Sequence, residues 1–494
     1  MPSRWWIPLI LLIAAAVPAA RVAAQSPPAA SPAAPPAAPL PSPPASLPEG
    51  KAFYSPRNPA NAVPAVPLKM PDAGKVEPPG SRMFFARNGS VAPERPPYTP
   101  PAGATYYASP GGTGDGSPGR PMTIRRFWAV AKPGDRLLLL PGTYTGEDSM
   151  IQPPRSLGGL PGLPITVAAQ ADGTVRIDGE GRFAPVALSH NFWIVLEGFD
   201  ACRSSVTVVS LSNATNCVVR RVAAWDAAEG NHTVFGVHYS RETLIEDCAG
   251  WGVGRKIFTC SQRGDYTIFR RCWGRWEGSH VVGPKMVFSL AYNSYHNRFE
   301  QCVGTWDARR MQQAYMLMGY DGRPYVDRTG RTPTFAHFAV DQPYGIFGVD
   351  GFTGDSPRDA HTAAVGCVAY VLAEQRMDGF AGGFFATRLN HMELRDCVSV
   401  IQRPGAGPFV LDDGPAGKDA GNRAENLTAV GRKPSAIDPG WAGSGLTGAA
   451  QPMQAWPMNA RIKSACGVDV EADLRQVADI IRLDTCPIGP DGAR

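Results

Sequence analysis

The chain has no apolar run long enough to cross a membrane. The stretch from Ile7 to Val17 has eleven residues, about half of what a bilayer span needs. With Arg4 before it and Val22-Ala23-Ala24 after it, this stretch reads as an export signal cleaved after Ala24. No lipobox cysteine follows, so no lipid anchor is expected. Charge of one sign is also scarce: the formal net charge of +5 falls to +3 when Arg4 and Arg21 leave with the signal. That balance gives no electrostatic case for a nucleic-acid partner. The expectation is a secreted or periplasmic monomer with no transmembrane segment after signal cleavage.

Residues 25–50 are almost entirely Pro, Ala and Ser, and residues 51–103 stay rich in proline. Such composition cannot build a core, so 25–103 is expected to be a disordered linker.

Beyond the linker the chain repeats. The segments TLIEDC, TIFRRC, NRFEQC, AAVGC and MELRDC end at Cys248, Cys272, Cys302, Cys367 and Cys397, and VVRRV is a variant ending at Val222. The intervals are 26, 24, 30, 65 and 30 residues, which is a coil repeat with one insertion at about 311–360. Repeats of this length build solenoids in which each unit is stabilised by its neighbours. The residues before each ladder position alternate β-branched or aromatic with charged, and Gly, Asn or Asp is expected at the corners. Strands returning to one register with too little chain for a helix stack as a parallel β-helix, each coil about 4.8 Å from the next.

Ten cysteines in an exported chain suggest disulfides. In-register strands, however, hold Cβ atoms about 4.8 Å apart, beyond the roughly 3.5 to 4.5 Å a disulfide prefers. The five ladder cysteines therefore read as a stack of small buried thiols. Cys466 and Cys486 lie outside the ladder and are the expected bridged pair; Cys202 and Cys260 are left unassigned. Asn213, Asn231 and Asn426 open sequon-like triplets, and Asn426 reads as a continuation of the ladder, 29 residues beyond Cys397.

An open solenoid end needs a cover. Met122 to Ala131 is helical by pattern, with Ile124, Phe127, Trp128 and Ala131 on one side, and serves as a cap. Pro133-Gly134-Asp135 then turns into a strand from Arg136 to Leu140. This opening resembles that of the pectate-lyase-like superfamily, matching it at Tyr107, Ser109, Pro110, Gly112, Asp115, Pro118, Gly119, Pro133, Gly134, Asp135, Leu139, Pro141, Gly142 and Tyr144. The resemblance, which with the coils covers about residues 105–430, implies an all-β, single-stranded right-handed parallel β-helix with an N-terminal capping helix. It does not select an activity, because the superfamily holds lyases, hydrolases, epimerases and non-catalytic adhesins. The expected layout is signal 1–24, linker 25–103, β-helix 104–431 and a C-terminal loop and capping segment 432–494, with Val470 to Leu483 as its helix.

Eight residues beyond the ladder position stand Lys256, His280 and Arg310, and a charged column of this kind is expected to project outward. Four or five residues beyond it stand Asp226, Glu277 and Asp307. From Trp251 to Arg331 there are 13 Lys and Arg against six acids, so this segment carries +7 and the rest of the mature chain −4. One reading is a basic groove for an extended anionic polymer; the other is a solvated outer surface, to which Arg270, Arg271 and Arg298 are assigned. The insertion carries Tyr315, Tyr320, Tyr325, Phe335, Phe338, Tyr344, Phe347 and Phe352, suited either to packing on sugar rings or to a satellite core.

Superfamily lyases cleave uronate polymers by β-elimination, which requires a base for the proton α to a carboxylate, cations for that carboxylate and a proton for the leaving oxygen. On this resemblance Lys256 is the expected base, with Arg255 and Arg310 lowering its pKa, and His280 is the acid or an alternative base. Arg310 and Lys285 bind the carboxylate, and Arg255, Arg309, Glu277, Asp307 and Tyr315 complete the binding set for an acidic polysaccharide. Calcium, used by several such lyases, is optional here: no tight aspartate cluster shares the coils of Lys256, and Asp226, Glu277 and Asp307 are the oxygen ligands at hand. A hydrolase using Glu277 and Asp307 as its carboxylate pair, or a non-catalytic polysaccharide-binding protein, are the alternatives.

Overall fold

Three parallel sheets carry the repeat, with 11, 10 and 9 strands, each strand bonded to its counterpart one coil away. A typical coil runs from Val218–Arg220 in the first sheet to Ala223–Trp225 in the second and Thr233–His238 in the third, then to Leu244–Glu246 one coil on. The structure, a computed structural model, describes residues 103–228, 231–278, 285–291, 294–307, 344–350, 361–372, 380–387, 390–403, 405–412, 421–433, 435–438, 441, 456 and 458–484. The protein is a parallel β-helix.

The corner between the first and second sheets is set by one residue per coil at positive φ. Gly198, Arg221, Asp247, Arg271, Gln301, Gly366, Asp396 and Asn426 all occupy it, with φ between +48° and +84°. The sequence led to Gly, Asn or Asp here; Arg and Gln fill three of the eight positions. A non-glycine residue there costs about 1 to 2 kcal/mol, and the ladder offsets it: the Asp247 amide, for example, donates to the Arg270 carbonyl of the next coil at 2.9 Å. Because the following residue returns inward, Phe199, Val222, Cys248, Cys272, Cys302, Cys367, Cys397 and Leu427 form one buried column. Leu427, not Asn426, continues the ladder; Asn426 is the corner residue. The thiols are unpaired, and each bonds a carbonyl, as Cys272 Sγ does that of Ile245 one coil back at 3.4 Å.

Stacked rings fill the core behind the third sheet. Phe235, Phe258, Phe288, Phe347, Phe384 and Phe409 stand face to face with centroids 4.6 to 5.1 Å apart. Each such contact contributes about 0.5 to 1.5 kcal/mol beyond burial. Phe347 lies on the strand Tyr344–Asp350, which pairs with Met286–Ala291. The expected insertion is thus two segments, 307–343 and 351–362, on either side of a regular strand, and Phe347 is a core residue.

The outer face of the first sheet carries a ladder of alternating sign. Glu197, Arg220, Glu246, Arg270 and Glu300 follow one another in register, and all five are buried. Arg220 Nε donates to Glu197 at 2.9 Å and Arg270 Nε to Glu300 at 2.8 Å. Arg271, the corner residue, adds bonds to Glu246 at 2.9 Å and to Asp247 at 2.6 Å. Arg270 and Arg271 are therefore not solvated surface cations, and the half-buried Arg298 bonds Glu300 at 2.8 Å.

At the N-terminal side, the strand Thr105–Ala108 opens the first sheet, and the short helix α1, Ile124–Trp128, buries Ile124, Phe127 and Trp128 in the core. Thr123 caps it, its hydroxyl accepting from the Arg126 amide. Two further helices, α2 (Asn459–Cys466) and α3 (Val470–Asp484), lie along the side of the solenoid. Ile462, Val470, Leu474, Val477 and Ile481 pack on Trp251, Trp273, Val303, Tyr370 and Val400 of the second sheet's outer face. The C-terminal segment thus covers a lateral face instead of crossing an end. The pairing proposed for Cys466 involves Cys486, which lies outside the described residues.

Candidate active site

The corner between the second and third sheets varies most in length. It takes residues 226–232 in one coil, only 254–255 in the next, then 279–285 and 307–343. Variable loops on a rigid scaffold are where binding and catalysis concentrate. Asp226, Arg255, Lys256, Lys285 and Asp307 all fall on this corner or beside it. His280, Arg309, Arg310 and Tyr315 lie outside the described residues.

Lys256 opens the strand Lys256–Ser261 of the third sheet, in register with Thr233 on one side and Met286 on the other. The expected column of Lys256 with His280 falls outside the described residues. The count of eight residues from the ladder does not give the register of Lys256, whose partner one coil on is Met286, because the corner is two residues long in one coil and seven in the next. Nor does Lys256 project into solvent: it is 5% exposed. Lys285, just before Met286, is fully buried.

The charge of Lys256 reaches His238, at the end of the strand Thr233–His238. Burial first, and then Lys256, push the His238 imidazole down to about 4, so it is neutral near pH 7. Its Nδ1 bonds Ser261 Oγ at 2.9 Å. A Cβ on Gly236 would stand 2.8 Å from His238 Nε2 and 2.8 Å from Thr233 Oγ1; the imidazole therefore folds back over Gly236 toward the Lys256 end of the strand. His238 and Ser261 were not among the residues picked from the sequence. Aligning TVFGVH, KIFTCS and MVFSLA on their phenylalanines would have found them, since alternation then places His238 and Ser261, three residues beyond the inward phenylalanine, in one outward column.

Glu277 sits elsewhere. It lies on the outer face of the second sheet, fully buried and ion-paired with the buried Arg275, whose guanidinium stands 5.5 Å from the Trp273 ring centroid. Asp307 follows the strand Val303–Trp306, its amide donating to the Trp276 carbonyl at 2.9 Å. Asp226 accepts from the Val253 amide at 3.0 Å, and Arg255 bonds Asn231. Among the described residues no three His, Cys, Asp or Glu side chains come together to hold a metal ion. Asp226, Glu277 and Asp307 thus make no calcium site by themselves, and Glu277 already has a cation beside it.

No family profile matches the chain. Pectate lyase L of Thermoclostridium stercorarium is 27% identical over 161 residues, 32% of this chain and 12% of that protein; the chain thus spans about an eighth of that relative's length. Among solved structures, pectate lyase Pel9A is similar with a TM-score of 0.41 and 14% identity, over 70% of this chain and 82% of its own. A rhamnogalacturonan lyase gives 0.42 and 15%, over 68% and 87%. An alginate lyase from Paenibacillus sp. str. FPU-7 gives 0.36 and 11%, over 68% and 98%. The chain is similar to pectate-lyase-like β-helix proteins.

Proposed function

We propose that the protein is a polysaccharide lyase that cleaves a uronate-containing polymer by β-elimination, with Lys256 as the base. In that reaction the amine takes the proton α to the carboxylate, the C–H electrons form the new carbon–carbon double bond, and the glycosidic oxygen leaves with its electron pair and is then protonated. The observation that carries this reading is the buried Lys256 on the outer face of the third sheet, beside a neutral histidine. Similarity to a pectate lyase supports the same choice. The commitment of Glu277 to Arg275 speaks for elimination over hydrolysis, which needs both carboxylates of its pair available.

Lys285 and Arg255 are the described cations nearest in sequence to Met286 and Lys256 and are assigned to the substrate carboxylate, with Arg309, Arg310 and His280 as further contributors from the variable corner. Asp226 and Asp307 stand three coils apart along the second sheet, too far to share one calcium ion, so a calcium ion would be held by one of them together with substrate oxygens. The protein acts outside the cytoplasm if residues 1–24 are removed as read; among the described residues no helix is long and apolar enough to cross a membrane.

The test is the ultraviolet absorbance of the unsaturated product during incubation with homogalacturonan, rhamnogalacturonan and alginate, with and without added calcium. A rise abolished by Lys256→Ala, with the variant still folded by circular dichroism, supports the assignment. New reducing ends without absorbance would replace elimination with hydrolysis, and binding without either product would leave a polysaccharide-binding protein.

A further inference from the structure

One outward column of the third sheet contains hydroxyls held out of water with nothing to bond. In register it reads Ser210, Gly236, Thr259, Ser289 and Gly348, and it faces outward because Phe235, Phe258, Phe288 and Phe347, one residue earlier, fill the core. Thr259 and Ser289 are each 1% exposed. Thr259 Oγ1 and Ser289 Oγ have no hydrogen-bond partner. A buried unsatisfied hydroxyl costs about 1 to 3 kcal/mol, and valine or alanine would occupy these strand positions without it. Two such groups one coil apart on the same outward column call for a partner.

The walls define the ligand's chemistry. One flanking column holds Thr233, Lys256 and Met286, the other His238, Ser261 and Ala291. Side chains fold over the glycine at each end: His238 and Thr233 over Gly236, and Met286, whose Sδ is 2.1 Å from where a Cβ on Gly348 would stand. Met286 is an adaptable wall. Between them the described column carries no charge. A hydroxyl both donates and accepts, which complements a sugar hydroxyl; a carboxylate only accepts and is served by cations. The two hydroxyls are one coil apart, about 4.8 Å, comparable with the width of a sugar ring.

We propose that Thr259 and Ser289 form a subsite for an uncharged sugar next to the uronate handled at Lys256. Resting on the lyase reading, this makes the substrate a mixed polysaccharide in which uronates neighbour neutral sugars, in preference to a polymer of uronate alone.

Thr259→Val and Ser289→Ala test it, assayed on rhamnogalacturonan, where galacturonate alternates with a neutral deoxyhexose, and on homogalacturonan. Each substitution removes an unpaired hydroxyl, so each raises the denaturation midpoint while raising KM on rhamnogalacturonan about three- to tenfold. KM on homogalacturonan stays within twofold of the wild type. Unchanged KM on the alternating polymer, or a lowered midpoint with equal losses on both polymers, overturns the subsite while the lyase reading stands. If no unsaturated product forms on either polymer, the lyase reading fails, and calorimetry with rhamnogalacturonan oligosaccharides decides the subsite separately. Affinity lost in Thr259→Val retains it; equal affinity, or none in the wild type, removes it.

Discussion

Replacing Glu246 by Gln removes one rung of the charge ladder while keeping its shape. Glu246 is fully buried between Arg220 and Arg270 and touches Arg271 as well, at 2.9 Å from Arg271 and 3.5 Å from Arg270. Breaking a buried pair so that its partner is left uncompensated costs about 3 to 5 kcal/mol. Here Arg270 keeps Glu300 at 2.8 Å and Arg271 keeps Asp247 at 2.6 Å, so the loss should fall below that range, at about 2 kcal/mol, the scale of one charged hydrogen bond. The assay is urea denaturation at low salt and at high salt, with the midpoint and slope recorded for each. Buried charges are screened weakly, so the destabilisation should be the same in both. A double variant adding Arg271→Gln should cost less than the sum of the two singles. A loss under about 0.5 kcal/mol, or one that disappears in high salt as an exposed pair's would, would refute the description of Arg270 and Arg271 as structural ions.

Phe288→Ala removes a ring that stacks at 4.8 Å on Phe258 and 4.7 Å on Phe347; a loss of about 3 to 5 kcal/mol in the same assay is expected. The His238 imidazole should titrate at about 4 by nuclear magnetic resonance, and Lys256→Met should raise that value without restoring 6.5, since burial is the larger cause. Because the folded value is depressed, His238 contributes stability in full above pH 6.5 and loses it as pH falls toward 4.

The parallel β-helix was legible because every coil writes it again. The column from Val222 to Cys397 recurs in the sequence with its alternation intact, so neighbours in space announce themselves as repeats. Which charges are buried was not legible, since the partner of Arg270 is not beside it in sequence but one coil away at Glu246 and Glu300. The register of Lys256 was missed for a related reason. Fourteen residues separate Cys272 from Met286 but only eight separate Cys248 from Lys256, so counting from the thiol slips wherever the corner changes length, whereas counting from the phenylalanines does not. The period of α3 showed that one face is apolar but not that the outer face of the second sheet would cover it.

Arg461 on α2 has a consequence for how the molecule assembles. Its guanidinium bonds Asp200 at 2.8 Å and the carbonyl of Arg221 at 2.7 Å, across 261 and 240 residues of sequence, while α3 rests on the late strands Val398–Ile401 and Thr428–Gly431. A stack whose repeats touch only their nearest neighbours can open from either end, one layer at a time. Here helices that follow the last coil in sequence are fastened to early layers, so opening the final coils also requires releasing a latch on early ones. The clamp converts fraying into a cooperative event, and the same long loop closure that secures the finished solenoid delays its completion until the ribosome has delivered the C-terminal helices.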